Sequence, residues 1–334
     1  MIGKFRTTWI LIWMCGCLAV PLLAQGQTET AATGPASKTT LILVVGAPGE
    51  DAYERIFTEE LDLWRKVAAT SEVTLHVVGA AAISKDAVNK EQLRKLIDAE
   101  VKTKTDAALW IVFIGHGTYD GRTAAFNLRG PDVTSSELSD WLKPCDRPLA
   151  VIDSTAASAP FLTALSQPGR VVITATKSGQ ERNYARFGRY FAKRVIDPEA
   201  DLDKDDQTSL LEAFLAAARD TSAFYAQEGR LATEHPLLDD NGDGRGVRLE
   251  FFERDKPVKA PASQNGIDGD LARKFRLKPS NVERTFTPQQ IARRDELEAA
   301  VAALRRRKLE LSEDEYFTEL EKLLVEISRI YQSK

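Results

Sequence analysis

Two stretches of this chain are apolar without a break and then stop abruptly: Ala108-Leu-Trp-Ile-Val-Phe-Ile-Gly-His116-Gly117 and Pro148-Leu-Ala-Val-Ile-Asp153-Ser-Thr155-Ala-Ala-Ser158. A strand with one wet face alternates polar and apolar residues. An unbroken run reads instead as a strand covered on both faces, as in a parallel sheet between two layers of helices. The polar residues that end each run then fall at the carboxyl edge of the sheet, where open α/β folds build their sites.

The rest of the first 200 residues repeats the unit. Thr40 to Val45, Val73 to Val78 and Arg170 to Ala175 read as further strands. Ala52 to Ala68, Lys85 to Ala99, Ser135 to Leu142, the stretch from Pro160, and Asn183 to Ile196 read as helices, and Thr123 to Leu128 as a short strand or hairpin. Alternating β and α units give a mostly parallel, doubly wound α/β sheet. The turn Gly46-Ala-Pro-Gly49 lacks a following Gly-Lys-Ser/Thr, so it is no phosphate cradle, and no nucleotide or organic cofactor is expected.

At the first edge, His116 stands between Gly115 and Gly117, which free the backbone to turn sharply and present an imidazole. At the second edge stand Asp153, Ser154, Thr155 and Ser158. Together these ends resemble the legumain/caspase-type cysteine peptidases, whose second strand ends in Asp, a small residue, Cys, any residue, Ser and Gly. Laid on this chain over residues 39 to 255, the resemblance puts the catalytic histidine at His116, with Gly117 beside it, and the nucleophile at Thr155. The Ser-Gly falls on Ala157-Ser158. It also implies that the loop Ala175 to Glu181 shapes a substrate pocket, in which Glu181 would face a basic group. The alternative is that Glu181 is an ordinary charged loop residue.

A threonine hydroxyl is far less acidic than a thiol and needs a strong, positioned base and an oxyanion hole to attack a carbonyl. The expectation is a degenerate homologue that has lost peptidase activity and acts by binding a peptide or protein. The alternative is a hydrolase that uses Thr155, Ser154 or Ser158 with His116. Cys145 is no substitute nucleophile, since it precedes its strand and belongs at the opposite sheet edge. His76, inside a strand, and His235, before Pro236, read as packing and loop residues.

Residues 1–24 read as a secretory signal: Lys4 and Arg6, then an uncharged apolar stretch from Trp9 to Ala24, short for a membrane span and containing Pro21. Secretion or a periplasmic location follows, with no stable membrane anchor after cleavage. Cys15 and Cys17 leave with the leader, so no internal disulfide can form and the core alone holds the fold. The chain has 45 basic and 49 acidic residues; without Lys4 and Arg6 the balance is 43 against 49, or −6, which argues against a nucleic-acid partner.

Two acidic loops carry a separate signal. Asp201, Asp203, Asp205, Gln207, Ser209 and Glu212 occupy positions 1, 3, 5, 7, 9 and 12 of an EF-hand-type calcium loop, although position 6 is Asp206 rather than glycine. Asp239, Asn241, Asp243, Gly244 and Glu250 supply positions 1, 3, 5, 6 and 12 of a second. Calcium is the expected ion; the alternative is that both are ordinary Asp/Asn/Gly turns.

The chain divides into a signal at 1–24, a linker at 25–38, the α/β domain at 39–255, a linker at 256–286 and a helical hairpin at 287–334. Thr287-Pro288-Gln-Gln290 and Ser312-Glu-Asp-Glu315 are capping boxes that start the two hairpin helices. Their coiled-coil-like stripes, Leu297, Val301, Leu304 and Leu311 on one and Tyr316, Leu320, Leu323, Ile327 and Ile330 on the other, must bury against each other, the main domain or a second chain. Self-association, or an envelope scaffold assembled through these helices, is a further reading. Arg305 to Lys308 read as a solvated face.

Overall fold

The computed structural model describes residues 38–80, 89–258 and 266–332. The leader, most of the linker after it and the expected helix start at Lys85 lie outside those residues. The strands are β1 Thr39–Val45, β2 Val73–Val78, β3 Leu109–Ile114, β4 Gly117–Tyr119, β5 Ala124–Phe126, β6 Val133–Thr134, β7 Leu149–Asp153, β8 Arg170–Thr174, β9 Leu237–Asp239, β10 Phe252–Glu253 and β11 Lys256–Pro257. The helices are α1 Asp51–Thr70, α2 Asn89–Glu100, α3 Ser135–Leu142, α4 Ala159–Leu165, α5 Phe187–Arg194, α6 Leu210–Gln227, α7 Pro288–Arg306 and α8 Glu313–Gln332.

The main sheet runs β2-β1-β3-β7-β8-β9. Its first five strands are parallel, and β9 returns antiparallel to β8. This is the mostly parallel, doubly wound α/β class expected from the apolar runs. Side chains alternate between two cores. Leu41, Leu43, Trp110, Val112 and Ile152 face one core with Phe57 and Trp64 of α1, Phe187 of α5 and Phe214 of α6. Ile42, Val44, Ile111, Phe113 and Val151 face the other with Leu93 of α2, Leu138 of α3 and Phe161 of α4. Strands β4, β5 and β6 form a small antiparallel sheet that leaves directly from His116.

One boundary is corrected. Residues 266–286 are irregular, as Pro, Gly and charge implied, but they are no linker. Ala272, Phe275 and Leu277 are buried in the first core, and Phe275 O accepts Leu210 N–H at 2.7 Å. Asp240 and Asp268 clasp this segment reciprocally: Asp240 accepts the N–H groups of Gly269, Leu271 and Ala272, while Asp268 accepts those of Asp240 and Asn241.

The hairpin forms as expected. Thr287 and Ser312 make their capping boxes, and Leu297, Val301, Leu304 and Tyr316 are buried. A buried ion network that the stripes do not announce ties it down. Arg294, fully buried, reaches Glu283 at 2.7 Å and Asp295 at 2.7 Å, and Arg276 reaches the same Glu283 at 2.8 Å. Among the described residues no helix is long and apolar enough to cross a membrane.

Candidate functional site

The ladder pairs Phe113 of β3 with Asp153 of β7 in parallel, so His116 and Thr155 emerge side by side at the carboxyl ends of neighbouring strands. The two ends touch: a Cβ built on Gly117 would lie 2.2 Å from Ala156 O and 2.6 Å from Thr155 Oγ1. Only a residue without a side chain fits there.

The two candidate catalytic groups are nevertheless not engaged with each other. Thr155 is fully buried. Its Oγ1 donates to Asp153 Oδ1 at 2.7 Å and its N–H donates to the same oxygen at 3.1 Å. The hydroxyl at the nucleophile position and the amide beside it both point inward to a carboxylate. His116 Nε2 donates to Pro48 O at 3.2 Å, which places the proton on that nitrogen, since a carbonyl can only accept. The imidazole stands edge-on to Tyr53 and Phe57, with centroids 4.5 and 5.1 Å away. Burial there pushes its pKa below the ordinary histidine value, against the opposing pull of Pro48 O and Glu50. Among the described residues no hydrogen bond joins His116 to Thr155, Ser154 or Ser158.

The neighbouring hydroxyls are committed as well. Ser154 Oγ lies 2.6 Å from Phe113 O and 3.2 Å from Glu60 Oε1. Ser158 Oγ accepts the N–H groups of Ala175 and Thr176 and pairs with Thr176 Oγ1. These bonds stitch the turn after β7 to the end of β8, and Ala157 inside it takes a left-handed φ of 55°.

Two acids flank this turn and were not legible as site residues. Burial lifts Asp153 to about 6, although the two Thr155 donors oppose the rise. Glu60, on the buried face of α1, is lifted by burial to about 8, so it is largely protonated at neutral pH. Glycine at position 188 makes room for it; a Cβ there would lie 2.4 Å from Glu60 Oε1.

Glu181 lies in the loop after β8, at the carboxyl edge, with both carboxylate oxygens bonded. Its Oε1 takes His235 Nδ1 at 2.5 Å and its Oε2 accepts Lys177 N–H at 2.9 Å. The expected basic partner is thus an internal histidine, 54 residues away in sequence. Cys145 is half-buried ahead of β7, with burial raising its thiol pKa. His76 lies within β2, beside Ile42 of β1.

The two acidic loops differ. In the first, ligand oxygens of Asp201, Asp203 and Asp205 lie within 4.8 Å of one another. Asp206 takes a φ of 65°, the left-handed conformation that an EF-hand loop reserves for glycine. Burial, then Glu212, Asp205 and Asp201, raise Asp203 to about 7. The Gln207 side chain is committed elsewhere, its Nε2 donating to Asp205 and its Oε1 accepting Ser280 N–H, and position 7 of such a loop ligates through its backbone carbonyl in any case. Glu212 points at the loop, but Leu202 and Asp203 N–H occupy Oε1, and Ser209 N–H and Oγ–H occupy Oε2. The donor set of three close carboxylates fits calcium, with Glu212 as the residue that shapes the loop.

The second loop does not fit. Glu250 is exposed and lies 3.6 Å from Arg248. Asp239 accepts Gly242 N–H and Ser166 Oγ–H, Asn241 Oδ1 accepts Asp243 N–H, and Asp243 accepts Arg245 N–H. Asp201 and Asp205 of the first loop accept turn N–H groups in the same way; what the second loop lacks, among the described residues, is a cluster of three converging carboxylates and a twelfth residue turned toward it.

A cavity of about 520 Å3 lies away from His116 and Thr155, between the first acidic loop, β10–β11 and the hairpin, with Asp203, Glu298, Arg273 and Leu324 among its walls.

The histidine and nucleophile positions stand on adjacent parallel strand ends, as the resemblance requires. Several solved structures are similar to the chain. The Drosophila initiator caspase Dronc is 13% identical, with a TM-score of 0.41, over 71% of this chain and 96% of that one. Caspase-1 from Spodoptera frugiperda is 10% identical, with a TM-score of 0.38, over 61% and 86%. A Geobacter sulfurreducens protein is 11% identical, with a TM-score of 0.39, over 60% and 92%. No protein-family model matches the chain, and no curated sequence does.

Proposed function

We propose that this is a secreted or periplasmic caspase/legumain-like protein that no longer hydrolyses peptides and acts by binding a peptide or protein ligand. What supports this reading above all is the fate of Thr155 and His116: the Thr155 hydroxyl and N–H are both given to Asp153, and His116 Nε2 is given to Pro48 O. Peptidase chemistry needs that hydroxyl free, deprotonated by the histidine and flanked by an outward donor for the oxyanion. The test is a panel of peptides with Asn, Asp, Arg or Lys at the cleaved bond, incubated with the purified mature protein. No cleavage, and no labelling of the cleft by thiol-directed reagents, is the expected outcome. Turnover abolished by His116→Ala or Thr155→Ala would replace this reading with a hydroxyl-nucleophile hydrolase.

The first acidic loop is proposed to hold calcium, which would relieve the repulsion among Asp201, Asp203 and Asp205 and stabilise the fold by mass action. Calcium should raise the melting temperature, magnesium should do so poorly, and Asp203→Asn should remove the rise. Glu212→Ala is a poor test, because it strips four hydrogen bonds from the loop with or without an ion. A melting curve indifferent to calcium and chelator would make this loop an ordinary turn.

A further inference from the structure

Helix α8 buries one face and leaves another open. Its inner face is held by Tyr316, by the Phe286–Tyr331 ring contact at 5.1 Å and by the Glu326–Arg293 ion pair at 2.6 Å. On the outer face Phe317 and Val325 are 51 and 41% exposed, and Leu324, 46% exposed, stands at the border between this face and the cavity beside the first acidic loop. With Leu320, Glu321 and Ser328 they line a shallow groove of about 430 Å3. Residues 317, 320, 324 and 328 follow one another by three, four and four residues, so they share one face of the helix.

The charges around this face are unevenly distributed. The first turn carries Glu313, Asp314 and Glu315, the middle carries Glu319 and Glu321 beside Lys322, Glu326 is already paired with Arg293, and the last turn carries Arg329. A second α8 laid parallel would oppose acid to acid at the first turn. Laid antiparallel, about a two-fold axis near Glu321–Lys322, it brings Asp314 to the partner's Arg329 and Glu321 to the partner's Lys322. The surface is thus complementary to itself in one orientation only. We propose that the outer face of α8 is the interface of an antiparallel, two-fold symmetric homodimer, with Phe317, Leu320, Leu324 and Val325 at its centre and the Asp314–Arg329 pairs at its two ends. Isologous pairing of this kind uses one patch twice and closes without growing further.

The test is sedimentation equilibrium of the mature chain across micromolar to millimolar concentration. The wild type should dimerise, and Leu324→Glu and Phe317→Ser should each give a monomer with unchanged circular dichroism. As exposed ion pairs, Asp314→Arg and Arg329→Glu should each weaken dimerisation about two- to fivefold. The double variant should restore it, which only the antiparallel arrangement allows. A wild-type chain that stays monomeric, a dimer indifferent to Leu324→Glu, or a double variant that fails to recover would each overturn the proposal.

Discussion

Replacing Glu60 by Gln tests how deeply an acid has been buried behind the candidate site. Glu60 lies between α1, the end of β7 and Gly188, and burial raises its pKa from 4.5 to about 8, with the Ser154 hydroxyl and Arg189 pulling the other way. The folded value lies above the unfolded one, so the folded protein holds this proton more tightly. Its stabilising contribution is whole below the unfolded value and drains away as pH rises through the folded one. Each unit of pH between the two removes about 1.4 kcal/mol. From pH 5 to pH 7 the wild type should therefore lose about 3 kcal/mol relative to Glu60→Gln, whose amide cannot ionise. Urea unfolding of both proteins at pH 5, 6, 7 and 8 reads this difference directly. Other acids with raised pKa values, Asp153 and Asp268 among them, titrate in both proteins and cancel. A difference that is flat across the range would refute the buried, protonated assignment.

Gly117→Ala puts a methyl group against Ala156 O and Thr155 Oγ1 at 2.2 and 2.6 Å; the overlap should cost about 1–3 kcal/mol in urea unfolding, and a neutral effect would mean the strand ends are not in contact. Arg294→Ala removes a fully buried guanidinium from Glu283 and Asp295. The expected loss is about 3 kcal/mol, at the low end for a broken buried pair because Arg276 still reaches Glu283; a loss under about 1 kcal/mol would show that the network does not anchor the hairpin.

The parts of the fold that local pattern controls were legible in the sequence. Apolar runs such as Leu109–Ile114 and Leu149–Ile152, short and set between turn residues in an alternating β and α pattern, read as strands buried on both faces, and capping boxes at Thr287 and Ser312 announce their helices chemically. The positions of His116 and Thr155 followed from where those strands stop. What each side chain does there did not follow, because it depends on partners far away in sequence. Whether Thr155 faces His116 or Asp153 is decided by the turn that Ser158 and Ala157 stitch to β8 and the Glu181 loop. The sequence leaves Glu181 between facing a basic group and being an ordinary charged loop residue, because nothing in its own segment reveals its bond to His235. Residues 266–286 read as a linker because two aspartates, Asp240 and Asp268, replace regular secondary structure in holding them. The second acidic loop has calcium spacing at positions 1 to 6, yet its twelfth residue, Glu250, turns to solvent.

The uncoupling of His116 from Thr155 is tested most directly by the titration of the imidazole itself. With three histidines in the chain, His116→Gln identifies the relevant signal in long-range nitrogen–proton spectra. The midpoint is expected below the ordinary histidine value, because burial against Tyr53 and Phe57 disfavours the cation. It is expected to stay there in Thr155→Val, since that hydroxyl is bonded to Asp153 instead. A midpoint above the ordinary value, or one that moves when the hydroxyl is removed, would show the two groups acting as a dyad and contradict the loss of peptidase chemistry.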